Sequence, residues 1–130
     1  MLVVDASAVL ELLKGSAPGE RFRTALTAAP FDLHAPHLID AEVVQALRRW
    51  NLSGGLPSPV ARRMLDLYGD MGIRRHAHAE LLGRLWELRA NLSAYDALYV
   101  ALAEGLGVPL VTADARLAEA PGHRAEIRLL

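Results

Sequence analysis

The first apolar run of the chain is short and unbroken: Leu2, Val3 and Val4. Such a run predicts a strand buried on both faces rather than one that alternates. From Ser7 to Leu13 the apolar positions are Val9, Leu10, Leu12 and Leu13, the stripe of a helix. Asp5 stands between the two elements. An acid so placed ends near buried surface, where an unpaired carboxylate is expensive.

The pattern continues in alternation. Residues 18–28 read as a second helix, 31–35 as a second strand and 38–50 as a strongly helical stretch. The segment "NLSGGLPSP" then breaks the chain at Gly54, Gly55, Pro57 and Pro59. Ser58-Pro59 predicts a helix start with Ser as cap and Pro in first position, running to about Tyr68. A short strand over 73–76 is followed by a helix over 79–90 and another over 94–106, closed by Gly107. "VPLVT" (108–112) reads as a buried strand, 114–118 as one helical turn and 127–129 as a terminal strand.

Short apolar strands alternating with helices predict an α/β fold: a short central, mainly parallel sheet in a three-layer α/β/α arrangement. Ligands of such sheets collect at the carboxyl ends of the strands. Asp5 follows one strand directly and Asp114 follows another by one residue, which puts both on that edge. One domain over residues 1–130 is the expectation for this length.

Composition narrows the chemistry. There is no cysteine, so disulfides and thiolate metal sites are excluded. No stretch reaches the 18 uncharged apolar residues of a membrane span, and Asp5 and Glu11 interrupt the apolar start in a way a signal peptide does not show; a cytoplasmic location is expected. The net charge is −1. If four of the 15 acids serve one metal site, 11 remain against 14 Lys and Arg, and the rest of the surface is net +3. All the basic residues but Lys14 are arginine, a bias a GC-rich genome also produces.

Two more acids join Asp5 and Asp114. Asp96 stands three residues after Ser93, the spacing of a capping box, and is flanked by Leu92, Tyr95, Tyr99 and Val100. Glu42 has Gln45 and Ala46 at i+3 and i+4, so it lacks the helical cation that a surface glutamate often has. Taken singly, Asp5 and Asp114 are good N-caps, Asp96 suits a helix dipole and Glu42 suits a solvated face. Taken together, clustered carboxylates repel one another unless a divalent cation joins them, and an all-oxygen donor set favours Mg²⁺, with Mn²⁺ as the alternative. Such a site suits phosphodiester hydrolysis.

The stretches "VVDASAVLELL", "PHLIDAEVVQALRR" and "LSAYDALYVALAEGLGVPLVTADARLA" resemble the PIN domain and, within it, the VapC-type ribonuclease toxins of bacterial toxin–antitoxin pairs. The resemblance runs in order from the first strand to Leu117. It implies a Mg²⁺-dependent endoribonuclease inhibited by a VapB-like antitoxin protein, with RNA as substrate and a homodimer as the assembly. It also implies metal-binding and catalytic roles for Asp5, Glu42, Asp96 and Asp114, with Ser7 and Thr112 as supporting hydroxyls. Ala6 stands where many relatives carry Thr or Ser. The alternative is a non-catalytic PIN-like module that only binds a partner.

Other signals carry less. His34, His37, His76 and His78 lack a clear third ligand and are expected on the surface or in turns. Trp50 and Trp86 are expected in the core or a dimer interface. Arg48-Arg49, Arg62-Arg63 and Arg74-Arg75 are expected on solvated faces; Arg116, two residues beyond Asp114, is the best single candidate for an RNA phosphate contact. A dehalogenase-type phosphatase needs a second Asp where Ser7 stands, and a receiver domain needs a late strand-end Lys, whereas the only lysine is Lys14.

Overall fold

The computed structural model describes residues 1–130. Five strands form its sheet: β1 (Leu2–Val4), β2 (Leu33–Pro36), β3 (Arg74–His76), β4 (Leu110–Thr112) and β5 (Ile127–Leu129). Their order is β3-β2-β1-β4-β5, and all four pairings are parallel. The apolar runs explain the layout. The central strands β1, β2 and β4 are buried along their whole length, whereas the edge strands β3 and β5 are partly exposed.

Seven helices cover the sheet: α1 (Ala6–Lys14), α2 (Ala17–Ala28), α3 (Leu38–Leu52), α4 (Ser58–Gly69), α5 (Leu82–Glu87), α6 (Ala94–Leu106) and α7 (Ala115–Glu119). Helix α1 packs on α2, α3 and α4, while α6 packs on β1, β2, β4 and α5. The α1–α2 approach is close: a Cβ on Gly19 would lie 2.0 Å from the Glu11 carbonyl oxygen. Helix α6 is buried from Ala97 to Ala103, as expected of the most uniformly apolar helix. No helix is long and apolar enough to cross a membrane.

The chain runs outward from β1 to β2 and β3, then returns to β4 on the other side of β1. The β1–β4 boundary is therefore the switch point of the sheet, where the crossovers leave a crevice at the strand ends.

Several local expectations are corrected. The helix expected over 79–90 is a 3₁₀ turn (Ala79–Leu81) followed by the six-residue α5. Neither start has a side-chain cap. Ser58 does not cap α4; its hydroxyl accepts from the Asn51 side-chain amide at 3.1 Å. The second strand begins at Leu33, not Phe31, which is exposed.

His34 is neither on the surface nor in a turn. It is 1% exposed in β2, and its Nδ1 shares a 2.7 Å hydrogen bond with Nε2 of His76. Register explains this: His34 pairs with Arg74, so His76, two residues on, presents its side chain on the same face. Trp86 is 68% exposed beneath the Arg89 guanidinium and so is not core. Trp50 lies over Gly55, where a Cβ would meet its ring nitrogen at 2.5 Å.

Candidate active site

Asp5 is the first residue beyond β1 and the N-cap of α1. Its Oδ1 accepts from the Ala8 amide at 2.9 Å, so the capping role is real. It is not the whole role. The Ser7 hydroxyl donates to Oδ1 at 2.6 Å and the Thr112 hydroxyl donates to Oδ2 at 2.5 Å. Asp5 is only 6% exposed, has no cationic partner, and is held by three neutral donors. Burial pushes its carboxyl above the usual range against those hydrogen bonds, and the charge of Asp96 adds to the rise.

Thr112 ends β4, the strand beside β1, so one hydroxyl ties the two strand ends together across the switch point. It also accepts from the Asp114 amide at 3.0 Å. Ser7 accepts from the Ala113 amide at 2.8 Å. These two hydroxyls fix both the Asp5 carboxylate and the turn that delivers Asp114.

Asp114 caps α7, with Oδ1 accepting from the Arg116 amide at 2.9 Å. The Arg116 guanidinium lies 3.7 Å away on a side chain that is 93% exposed, within reach of solvent and of the acidic edge.

Asp96 sits in the first turn of α6. Ser93 caps that helix by accepting from the Asp96 amide at 3.2 Å. The Asp96 carboxylate makes no return bond, so the capping box is half-made and its acid is free. Burial and the neighbouring Asp114 charge raise its pKa.

Glu42 stands on the first turns of α3 and accepts from the Tyr99 hydroxyl at 3.0 Å. Burial raises its carboxyl, and Asp96 and Asp5 raise it further. Tyr99 is the site residue that the sequence reading missed. It lies three residues after Asp96, on the same face of α6, and that spacing is the signal that finds it.

All four acids thus lie at the carboxyl edge of the sheet, but not in one cavity. Asp96 and Asp114 line one cleft with Asn91, Ser93 and Arg116; Glu42 lines a second with Gln45, Arg49 and Tyr95; Asp5 is buried. No three acid or histidine side chains are drawn together tightly enough to enclose an ion as they stand. The donor chemistry nevertheless fits a hard divalent cation. Three raised carboxylates influence one another, none has a basic partner, and every candidate ligand atom is oxygen.

A separate polar cluster is structural. Tyr68 donates to Asp40 at 2.5 Å and Arg75 donates to the same oxygen at 2.8 Å, joining α3, α4 and β3.

Comparison with known proteins agrees with this layout. The PIN domain family profile matches residues 2–122. Ribonuclease VapC1 of Mycobacterium tuberculosis is 45% identical over 129 residues, covering 98% of this chain and 96% of that protein. Ribonuclease VapC9 of the same organism is 44% identical over 119 residues, covering 92% and 90%. Among solved structures, PAE2754 from Pyrobaculum aerophilum matches with a TM-score of 0.72 at 26% identity, covering 97% of this chain and 81% of that one. VapBC2 from Rickettsia felis, solved on a DNA fragment from its promoter, matches with a TM-score of 0.69 at 14% identity, covering 97% of each chain. The chain belongs to the PIN-domain family, in its VapC branch.

Proposed function

We propose that this chain is a Mg²⁺-dependent endoribonuclease toxin, held inactive by a cognate VapB-like antitoxin. The observation that carries the reading is Asp5: a buried carboxylate at the sheet's switch point, with no cation beside it and further acids around it. Full-length relatives called ribonucleases, at 45% and 44% identity, support the activity. A solved toxin–antitoxin complex from Klebsiella pneumoniae and VapBC2 share the fold, with TM-scores of 0.65 and 0.69.

Asp5, Asp96 and Asp114 would hold Mg²⁺ or Mn²⁺, with Glu42 completing the acidic set. The ion, when bound, supplies a water of lowered pKa and neutralises charge on the phosphoryl group. The chain's own part is positioning. Ser7 and Thr112 keep the Asp5 oxygens pointed and favour their ionised form against burial, and Tyr99 orients Glu42. Arg116, solvent-facing beside Asp114, contacts a phosphate of the RNA backbone.

A homodimer is part of this reading. Leu82 and Trp86 on α5, and Val60 and Leu67 on α4, leave apolar surface exposed, and sedimentation at high micromolar concentration tests whether it is covered. The activity is tested with purified protein and single-stranded RNA. Cleavage is expected in Mg²⁺, lost in EDTA, and lost in the folded Asp5→Asn and Asp96→Asn variants. Undiminished cleavage by wild-type protein in excess EDTA defeats the metal mechanism. A folded wild-type protein that binds antitoxin but cleaves no RNA restores the non-catalytic module.

A further inference from the structure

The second cleft on the acidic edge has a composition that metal binding does not explain. It has a volume of about 400 Å³ and is lined by Leu38, Ala41, Glu42, Gln45, Arg49 and Tyr95, a size within the range of small-ligand pockets. Glu42, Gln45 and Arg49 follow one another at i, i+3 and i+7, so they share a single face of α3. Tyr95 faces them from the start of α6 and is 63% exposed. An aromatic ring this open, one residue from Asp96, gains little from folding. Arg49 is exposed and has neither an ion-pair nor a hydrogen-bond partner, unlike Arg75 and Arg84.

We infer that this cleft is a nucleotide subsite: the Tyr95 ring stacks an unpaired base of the RNA against the floor of Leu38 and Ala41, and Arg49 pairs with the adjoining phosphate. The inference rests on the ribonuclease reading for its ligand. Consecutive residues on a helix point about 100° apart, so Tyr95 and Asp96 face different clefts. Tyr95 serves the one with Arg49, and Asp96 the one with Arg116. The acidic edge is thereby flanked by two exposed guanidiniums, that of Arg49 without an ion-pair partner. A strand laid across it has its reacting phosphate at the carboxylates and its neighbouring phosphates at the arginines. Base stacking on an aromatic ring tolerates any sequence, whereas the Gln45 amide, on the same face as Glu42 and Arg49, offers a donor and an acceptor to a base edge. The subsite therefore selects single-stranded over paired RNA, because only an unpaired base presents its face.

The test uses equilibrium binding of a fluorescein-labelled ten-nucleotide single-stranded RNA, read by anisotropy in Mg²⁺. The Asp5→Asn background prevents turnover. Adding Tyr95→Ala is expected to weaken binding about 5- to 100-fold, while Tyr95→Phe stays within about twofold. Adding Arg49→Ala is expected to weaken binding and to flatten the dependence of log Kd on log salt by about 0.7, a change that a purely structural role does not produce. Arg63→Ala, a solvent-exposed control on α4 with no place in the cleft, is expected to bind as the background does. Tyr95→Ala with unaltered affinity overturns the subsite, even if the wild type cleaves RNA. So does a Tyr95→Ala protein that changes only its sedimentation as a dimer, or a background protein that binds no RNA. If the wild type cleaves nothing yet binding depends on Tyr95, the ribonuclease reading falls and the subsite stands.

Discussion

The Thr112 hydroxyl donates to the Asp5 carboxylate across the switch point of the sheet, over a distance of 2.5 Å and a sequence separation of 107 residues. It is one of two hydroxyls holding a buried anion that no cation neutralises. Each such bond lowers the Asp5 pKa against the larger effect of burial. Removing the Thr112 hydroxyl while keeping its shape therefore makes Asp5 harder to ionise. Thr112→Val is expected to fold, to lose about 1–3 kcal/mol of stability through the weakened bond network, and to bind Mn²⁺ about 10- to 100-fold more weakly, as loss of a group supporting a ligand does. Calorimetric titration with Mn²⁺, beside urea melts, measures both. Wild-type metal affinity in Thr112→Val would show that Asp5 needs no such support.

Asp5 also sets a pH dependence in metal-free protein. Its folded pKa is raised, chiefly by burial, so the folded chain holds a proton that the unfolded chain releases near pH 4. Where the folded state binds more protons, stability falls as pH rises. Glu42 and Asp96, raised by burial and by their acidic neighbours, act in the same sense. The metal-free protein is expected to lose stability as pH climbs from about 4 through these raised values, and Mg²⁺ is expected to restore it. Asp5→Asn keeps the cap, since Asn is as good an N-cap as Asp, and removes the charge. Its melting temperature in EDTA at pH 7 is expected to exceed that of the wild type. A lower one would mean that the Ser7, Thr112 and Ala8 donors outweigh the burial of charge.

The His34–His76 pair works in the opposite sense. Burial first, then His76 and Arg74, push His34 below its ordinary value, and Asp32 only partly offsets them. A lowered folded pKa means that the unfolded chain takes up a proton near pH 6.5 which the folded chain refuses. The stabilisation is thus complete above pH 6.5 and is lost as pH falls toward the folded value. Unfolding below pH 6.5 is expected to be accompanied by proton uptake through this residue. His34→Leu should flatten the melting-temperature profile between pH 5 and 7 relative to the wild type. An unchanged slope would assign that dependence to other histidines.

What the sequence made legible follows from which forces act locally. Residues 2–4, 38–50 and 94–106 announced themselves because continuous apolar runs or helical stripes leave few alternatives, and the strand-end positions of Asp5 and Asp114 came with the strand reading. The 79–90 stretch misled because a stripe of leucines satisfies helical periodicity, whereas starts without side-chain caps leave the helix short. His34 was misjudged for a different reason. Its partner is 42 residues away, and only strand register puts the two rings together. The hydroxyl bonds to Asp5 and the Tyr99 bond to Glu42 are likewise tertiary, so the acids were visible in the sequence while what holds them was not.

The proposed antitoxin control has a place at this acidic edge. Without metal, Asp5, Glu42, Asp96 and Asp114 concentrate negative charge, and the nearest cation, Arg116, is 3.7 Å from Asp114 on an exposed side chain. An inhibitory segment that lays a basic residue across this edge relieves the same repulsion that Mg²⁺ relieves. Arg suits the task because its planar fork can bridge two carboxylates at once. Segment and ion then compete, and the coupling is reciprocal: metal weakens segment binding by the factor by which the segment weakens metal binding. Titrating Mn²⁺ into the free protein and into its complex with the cognate antitoxin is expected to show weaker metal binding in the complex. Replacing the inserted Arg by Ala in the antitoxin should restore the free-protein affinity while the complex persists through its other contacts. Equal metal affinity in both states would place inhibition elsewhere, in a segment that covers the Tyr95–Arg49 cleft and blocks RNA without touching the carboxylates.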